Sequence, residues 1–200
     1  MDASLKAPSA VVILAAGRST RAGTPKALRP FRGSPWVVHV AHTWRELGAG
    51  EIFITWNPDV SVPAELETTA QIVPNHEIDL GPLHSLQLAL KAAVCTGDET
   101  IAMTPIDVPP PRPFVLARLF DQWANYEAVH PEVAGKGGHP LLMRNSMIGS
   151  ILELDPLTDR LDHFLKRSRV LRVPFDDGAL TLNLNDEAAW NAWLPQQHRD

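Results

Sequence analysis

The chain has 200 residues, 44% of them hydrophobic and 20% charged, with 23 acidic side chains against 18 basic ones and a net charge of −5. That composition excludes a fibrous or disordered chain, and the length fits one domain over residues 1–200 with a core large enough to need no staples. An acidic balance without a basic tract argues against nucleic-acid binding, and no apolar run approaches the roughly 20 residues of a membrane helix. The single cysteine, Cys95, excludes a disulfide framework or a cysteine metal site and points to a core residue in a reducing cytoplasm. The run 10–16 is too short for a signal peptide and only Lys6 precedes it.

In chain order, Ala10-Val11-Val12-Ile13-Leu14 is a continuous apolar run, the pattern of a strand buried on both faces. Ser34-Pro35 predicts a cap and first-turn proline for a helix carrying Trp36, Val40, Trp44 and Leu47, closed by Gly48 and Gly50. Residues 51–56 read as a strand, 63–69 as a short helix and 71–73 as another strand. Gly81-Pro82 opens a helix with Leu83, Leu86, Leu90 and Val94 on one face, ending near Gly97. Residues 100–104 form a further strand, and Pro113 starts a helix bearing Phe114, Leu116, Leu119, Phe120 and Trp123.

Residues 126–143 predict two strands separated by a turn at Gly135-Lys136-Gly137-Gly138. Helices follow around 147–154 and 160–166, then strands at 170–174 and 180–184, and a last helix from Asp186 to Leu194. The 18 prolines are dispersed as helix openers and loop shapers rather than gathered in a linker. This alternation predicts an α/β domain around a mainly parallel sheet, whose ligands bind beyond the carboxyl ends of the strands.

Chemistry concentrates at the end of the first strand, where residues 14–26 read LAAGRSTRAGTPK. Gly17 and Gly23 permit unusual backbone angles and close approach of a ligand to main-chain N–H groups, while Arg18, Arg21 and Lys26 place three cations within nine positions of an acidic chain. The stretch is built to hold phosphate. It is no P-loop, because Lys26 falls three residues past Gly23, and no dinucleotide fingerprint, because Ser19 stands where the second glycine belongs. An NAD(P)-dependent oxidoreductase is excluded on the same ground.

The spacing Gly17-x-Ser19-x-Arg21-x-Gly23-x-x-Lys26 after Leu14-Ala15-Ala16 resembles the signature of the MobA-like NTP-transferase family, the molybdenum-cofactor nucleotidyltransferases. The resemblance implies a three-layer Rossmann-like nucleotidyltransferase fold with a mainly parallel mixed sheet. It also implies a loop whose backbone at Leu14, Ala15, Ala16, Gly17, Ser19 and Gly23 wraps an NTP, with Arg21 and Lys26 on phosphate oxygens. Asn75, Gly81 and Ser85, in NHEIDLGPLHS, match the family's segment that contacts the nucleotide, and Lys136 to Pro140, KGGHP, is similar to the Gly-His-Pro element of its cytidylyl-transferring branch. His139 thereby becomes a contact to nucleotide or acceptor, with a structural histidine as the alternative. Ala16, against the glycine of guanylyl-transferring relatives, favours CTP over GTP, a preference worth only ~1–3 kcal/mol for one methyl.

Asp107, in TPIDVPPP after the strand 100–104, is either a turn residue or a carboxylate for a hard divalent ion. The family's Asp-x-Pro element, at this distance from the phosphate loop, implies Mg²⁺. Asn183-Leu184-Asn185-Asp186-Glu187 resembles the family's second metal element, with Asn185 favoured over Asn183 as ligand and helix capping as the alternative role. Asp186-Glu187 departs from the family's Thr-Pro. Asp176 and Asp177 are either acceptor contacts or a solvated turn before Gly178.

The resemblance implies an Mg²⁺-dependent nucleotidyltransferase carrying an NMP, CMP before GMP, from an NTP to a phosphorylated acceptor with release of pyrophosphate. Arg21, Lys26 and Asp107 are then the catalytic residues, molybdopterin the expected acceptor, and molybdoenzyme-maturation proteins the partners in the cell. Two alternatives stand beside it: a sugar-phosphate or alditol-phosphate nucleotidyltransferase of the same fold, and a nucleotide-binding module without turnover.

Overall fold

A computed structural model describes residues 6–17, 25–93, 100–185 and 187–194. Arg18, Ser19, Arg21 and Gly23 of the phosphate loop, Val94, Cys95 and Gly97 after the second helix, and Asp186 lie outside the described residues.

The first strand, β1 (Ala10–Leu14), runs down the middle of an eight-stranded sheet. It pairs in parallel with β4 (Glu51–Trp56) on one side and β6 (Thr100–Pro105) on the other, so that Val12 stands between Phe53 and Met103. β5 (Gln71–Pro74) extends the parallel half beyond β4. On the other side β9 (Leu141–Arg144) is antiparallel to both β6 and β7 (Ala128–Val133), and β10 (Val170–Pro174) is parallel to β7. The architecture is therefore mixed but mainly parallel.

Alternation along β1 divides the core into two layers. Val11 and Ile13 face the layer built from helix α1 (Trp36–Glu46), helix α3 (Pro113–Gln122) and the last helix, α6 (Glu187–Trp193). Ala10 and Val12 face α2 (Gly81–Ala92), α4 (Ile148–Leu152) and α5 (Leu161–Arg167). Leu86, Leu90 and Ile151 are sealed in this second layer, where a fully buried side chain contributes roughly 1.5–3 kcal/mol by leaving water. That burial fixes both faces of β1 and hence the direction in which its carboxyl end points.

Four local expectations are corrected. Ser34 does not cap α1: Ser34–Pro35 pairs as strand β3 with Pro30–Phe31, strand β2, and α1 starts at Trp36 after Pro35. The turn between the strands of 126–143 sits at Ala134 and Gly135, both at positive φ, because Lys136–Gly137 is itself a short strand, β8, antiparallel to the end of β7. Residues 180–184 are not a strand. Gly178–Thr181 is a 3-10 turn, and the hydrogen bonds of the segment go across the end of the sheet, from His139 N–H to the Leu180 carbonyl at 2.9 Å and from Leu184 N–H to the Asp107 carbonyl at 2.7 Å. The apolar alternation there marks Leu180 and Leu184 packing over the sheet edge. The helix expected at 63–69 is a single 3-10 turn, Ala64–Leu66.

Candidate active site

At the carboxyl ends of β1 and β6, Leu14 and Pro105 open into a cleft of about 830 Å³. Leu80, Pro82 and Leu83 at the start of α2 line one wall, the Gly137-Gly138-His139 segment lines the floor, and Leu161, Leu165 and Lys166 of α5 line the far wall with Arg160 and Arg172. This is the location the sheet topology dictates for a ligand.

Beside it, three of the expected residues meet. The Lys26 ammonium lies 3.1 Å from Asp107 Oδ2 and also donates to Asn185 Oδ1. Lys26 opens a 3-10 turn, Lys26–Leu28, closed by the Leu28 amide on the Pro25 carbonyl at 2.9 Å. Asp107 follows β6 in a tight turn whose backbone is fixed from several directions. Ile106 N–H donates to the Leu14 carbonyl at 3.0 Å, Val108 N–H to the Pro105 carbonyl at 3.2 Å, and the Trp36 indole N–H to the Ile106 carbonyl at 2.7 Å. Asn185 follows Leu184, whose amide is bonded to Asp107 itself. Asn183, two residues earlier, is exposed.

The aromatic packing behind this trio explains its rigidity. Trp36 meets Trp190 and Trp193 of α6 edge-on, with ring centroids 5.1 and 5.2 Å away, and Phe31 of β2 edge-on at 5.2 Å. Arg29 stacks over Trp190 at 5.1 Å and pairs with Glu187 at 3.8 Å. Helix α6 is thus clamped to α1 immediately after Asn185. Sequence reasoning placed Trp36 in the core and missed its bond to the turn of Asp107, since nothing in a helical repeat reveals where an indole N–H points.

The other expected residues divide into cleft-facing and supporting ones. Leu14 lines the cleft, and no described heavy atom stands within 4 Å of where a Cβ on Gly17 would be. Gly17 is not at positive φ, so space for a ligand, not an unusual backbone angle, is what this glycine provides. Ala15 and Ala16 are buried, and the Ala15 amide is taken by Thr55 Oγ1 at 3.2 Å. Gly81, with φ of +82°, is the left-handed residue that turns the chain into α2. Asn75 and Ser85 are brought together by the fold. Asn75 is fully buried, donates to Ser85 Oγ at 2.9 Å and accepts from Glu77 N–H at 2.9 Å, so this pair ties the end of β5 to α2 and sets the cleft wall.

His139 is at the cleft floor, half-buried, with Nδ1 covered and without a partner among the described residues. Burial pushes its pKa down to about 4, against the opposing pull of the Asp107 carboxylate. It is neutral at pH 7 and cannot compete with Lys26 for that carboxylate. Gly138 beside it admits no side chain, because a Cβ would stand 2.4 Å from the Leu180 carbonyl oxygen. Asp177 belongs elsewhere: it caps the turn at Ala179 and pairs with Arg112 at 2.8 Å in a separate cleft of about 540 Å³. The cations Arg160, Lys166 and Arg172 on the far wall were not singled out from sequence, where they look like ordinary solvated charges of a helix and an edge strand.

Among the described residues no three His, Cys, Asp or Glu side chains gather as a metal cage. The donor set is instead one carboxylate and one amide oxygen that converge on a single cationic nitrogen, which is what a cation completed by substrate phosphates requires. No helix among the described residues is long and apolar enough to cross a membrane.

A mainly parallel α/β sheet with a cation-bearing loop after its central strand and a carboxylate at the adjacent strand end defines a nucleotidyltransferase. Residues 11–172 match the MobA-like NTP transferase domain, and the chain belongs to that family. The molybdenum cofactor guanylyltransferase of Xanthomonas euvesicatoria pv. vesicatoria (strain 85-10) is 34% identical over 106 residues, 52% of this chain and 50% of that protein, so the chain spans about half the length of this curated relative. Rv0371c from Mycobacterium tuberculosis H37Rv shares the fold, with a TM-score of 0.73 at 24% identity over 95% of this chain and 99% of that one. A manganese complex of the same mycobacterial protein superposes with a TM-score of 0.71 at 22% identity, over 94% and 98% of the two chains.

Proposed function

We propose that this nucleotidyltransferase moves CMP from CTP to a phosphorylated acceptor of the molybdopterin type, with a divalent ion, Mg²⁺ by expectation, held by Asp107 and Asn185. The observation that carries the reading is the convergence of Lys26, Asp107 and Asn185 beside a cleft of about 830 Å³ lined by Leu14, Pro105 and His139. Lys26, with Arg21, holds the triphosphate; Gly17, Ser19 and Gly23 leave its oxygens room at the backbone. Asp107 and Asn185 would hold the divalent ion through two oxygens, and the ion would supply neutralisation of phosphate charge. The acceptor phosphate oxygen attacks the α-phosphorus in line as the bond to pyrophosphate breaks, and no protein nucleophile is needed.

Ala16 supports CTP, because the family resemblance gives guanylyl-transferring members a glycine at the position where this chain has a buried alanine. The second reading, GMP transfer, is favoured by the guanylyltransferase that matches half of this chain. For the acceptor, the apolar walls of Leu83, Leu141 and Leu161, rimmed by Arg160 and Lys166, suit a flat ring system carrying a phosphate better than a bare sugar phosphate. The manganese complex of the mycobacterial relative supports a divalent ion in this fold.

The test is a matrix of the four NTPs against molybdopterin and several sugar phosphates, read as pyrophosphate release with Mg²⁺ or Mn²⁺. The reading expects CTP with molybdopterin to be the fastest pair. Faster turnover with GTP selects the second reading, and nucleotide binding without turnover across all acceptors overturns the transferase assignment.

A further inference from the structure

We propose that the Lys26 ammonium is a stand-in for the divalent ion, so that metal and triphosphate bind this site cooperatively; the inference rests on the reading of Asp107 and Asn185 as metal ligands. One nitrogen occupies the position on which Asp107 Oδ2, at 3.1 Å, and Asn185 Oδ1 converge. A divalent ion using those two oxygens needs the same lone pairs, so the lysine and the ion exclude one another there. Both Lys26 and Asp107 are largely covered, with side chains 24% and 19% exposed, which keeps the contact from being dissolved by bulk solvent.

The exchange has a direction because the two alternatives for Lys26 differ in charge. At the sheet edge its contacts include the Asp107 carboxylate and the neutral Asn185 amide; at the cleft it would meet a triphosphate carrying several negative charges. The flexible four-carbon stem lets the ammonium turn from one to the other without moving the backbone at Pro25 or Ala27. A triphosphate that draws the lysine away frees Asp107 and Asn185, and an ion that displaces the lysine delivers it to the triphosphate. By linkage each ligand tightens the other by the same factor, typically ~5–150-fold for such couplings. Asn185 contributes to this balance: a second carboxylate in its place would hold the ammonium more firmly.

The test is Mn²⁺ affinity measured by electron paramagnetic resonance on the full chain without nucleotide. Lys26→Met, which keeps the stem and removes the charge, is expected to bind Mn²⁺ about tenfold or more tightly than the unaltered chain. Adding Asp107→Asn to it should abolish the gain, and Arg169→Met, which removes an exposed cation paired with Glu127 instead, should leave the affinity within about threefold. Lys26→Gln repeats the measurement if the methionine variant does not fold. Equal or weaker Mn²⁺ binding by the charge-free variant, or a gain that survives Asp107→Asn, overturns the stand-in. Failure here together with normal pyrophosphate release sinks the stand-in alone, whereas a tenfold gain with no release from any NTP sinks the transferase reading and keeps the stand-in.

Discussion

Leu184 and Asp107 are joined backbone to backbone, the Leu184 amide donating to the Asp107 carbonyl at 2.7 Å. The neighbour of one proposed ligand is thereby bonded to the other, and the distance between Asn185 and Asp107 is set by main chain instead of by two independent side chains. Leu184→Pro removes the donor of one hydrogen bond, worth about 1 kcal/mol, and also a buried leucine side chain, whose loss adds on the order of 2 kcal/mol. Its effect on geometry is separable: at a temperature where circular dichroism shows the variant folded, the metal concentration giving half-maximal pyrophosphate release is expected to rise at least tenfold.

Asp107→Ala and Lys26→Ala remove chemistry more than structure, since both side chains lie at the rim of the sheet and outside the apolar layers. Two opposite unit charges about 4 Å apart interact by roughly 4 kcal/mol at an intermediate dielectric, which corresponds to nearly a thousandfold in rate. Pyrophosphate release by each variant is expected to drop by two to three orders of magnitude, with circular dichroism unchanged. Release at the wild-type rate by purified Asp107→Ala would remove the metal assignment.

Ala16→Gly tests nucleotide choice. Removing one buried methyl beside the loop changes discrimination by about tenfold, and the expected direction is toward GTP. The ratio of kcat/KM for CTP and GTP is the readout; an unchanged ratio places base selection elsewhere in the cleft.

Trp36→Phe keeps an aromatic ring against Trp190 and Trp193 while deleting the indole donor to the Ile106 carbonyl. The lost bond leaves a buried acceptor, costing about 1–3 kcal/mol. Because the acceptor belongs to the residue before Asp107, kcat is expected to fall with little change in KM for nucleotide. Chemical denaturation and initial-rate measurements separate the two effects.

His139 gives a pH dependence with a definite sign. Its folded pKa, about 4, lies below the ordinary value of 6.5, so between those values the unfolded chain binds more protons than the folded one. Stability therefore is unaffected above pH 7, declines as pH falls from about 6.5, and levels off below about 4, by an amount on the order of 3 kcal/mol. Urea unfolding from pH 4 to 8 should show this slope, and His139→Gln should reduce it, leaving the same-signed contributions of His39 and His130, which burial also holds below the ordinary value.

The readable parts of the fold were those where burial alone decides the conformation. Residues 10–14 and 51–56 announce themselves as strands because both faces are covered, and α2 and α3 because their leucines repeat at the helical period. Ser34-Pro35 and residues 180–184 misled for the opposite reason. Their hydrogen bonds go to distant partners, Pro30–Phe31 in one case and His139 and Asp107 in the other, and no local pattern encodes a distant partner. The site divides in the same way. Lys26 is legible from residue type beside a strand end, whereas residue type leaves Asp107 open between a turn and a metal ligand, and the family resemblance supplies its metal role together with Asn185. Trp36 and the Asn75–Ser85 pair act through contacts between elements far apart in the chain, and there the sequence shows only an apolar helix position and a polar loop.

All the strands of the sheet, as described, end by Pro174, whereas Asn185 and the helix that clamps it come afterward. Closing a cation between Asp107 and Asn185 would therefore call on a segment that follows every described strand, and that segment is seated by Trp190 and Trp193 in the same apolar layer as Val11 and Ile13.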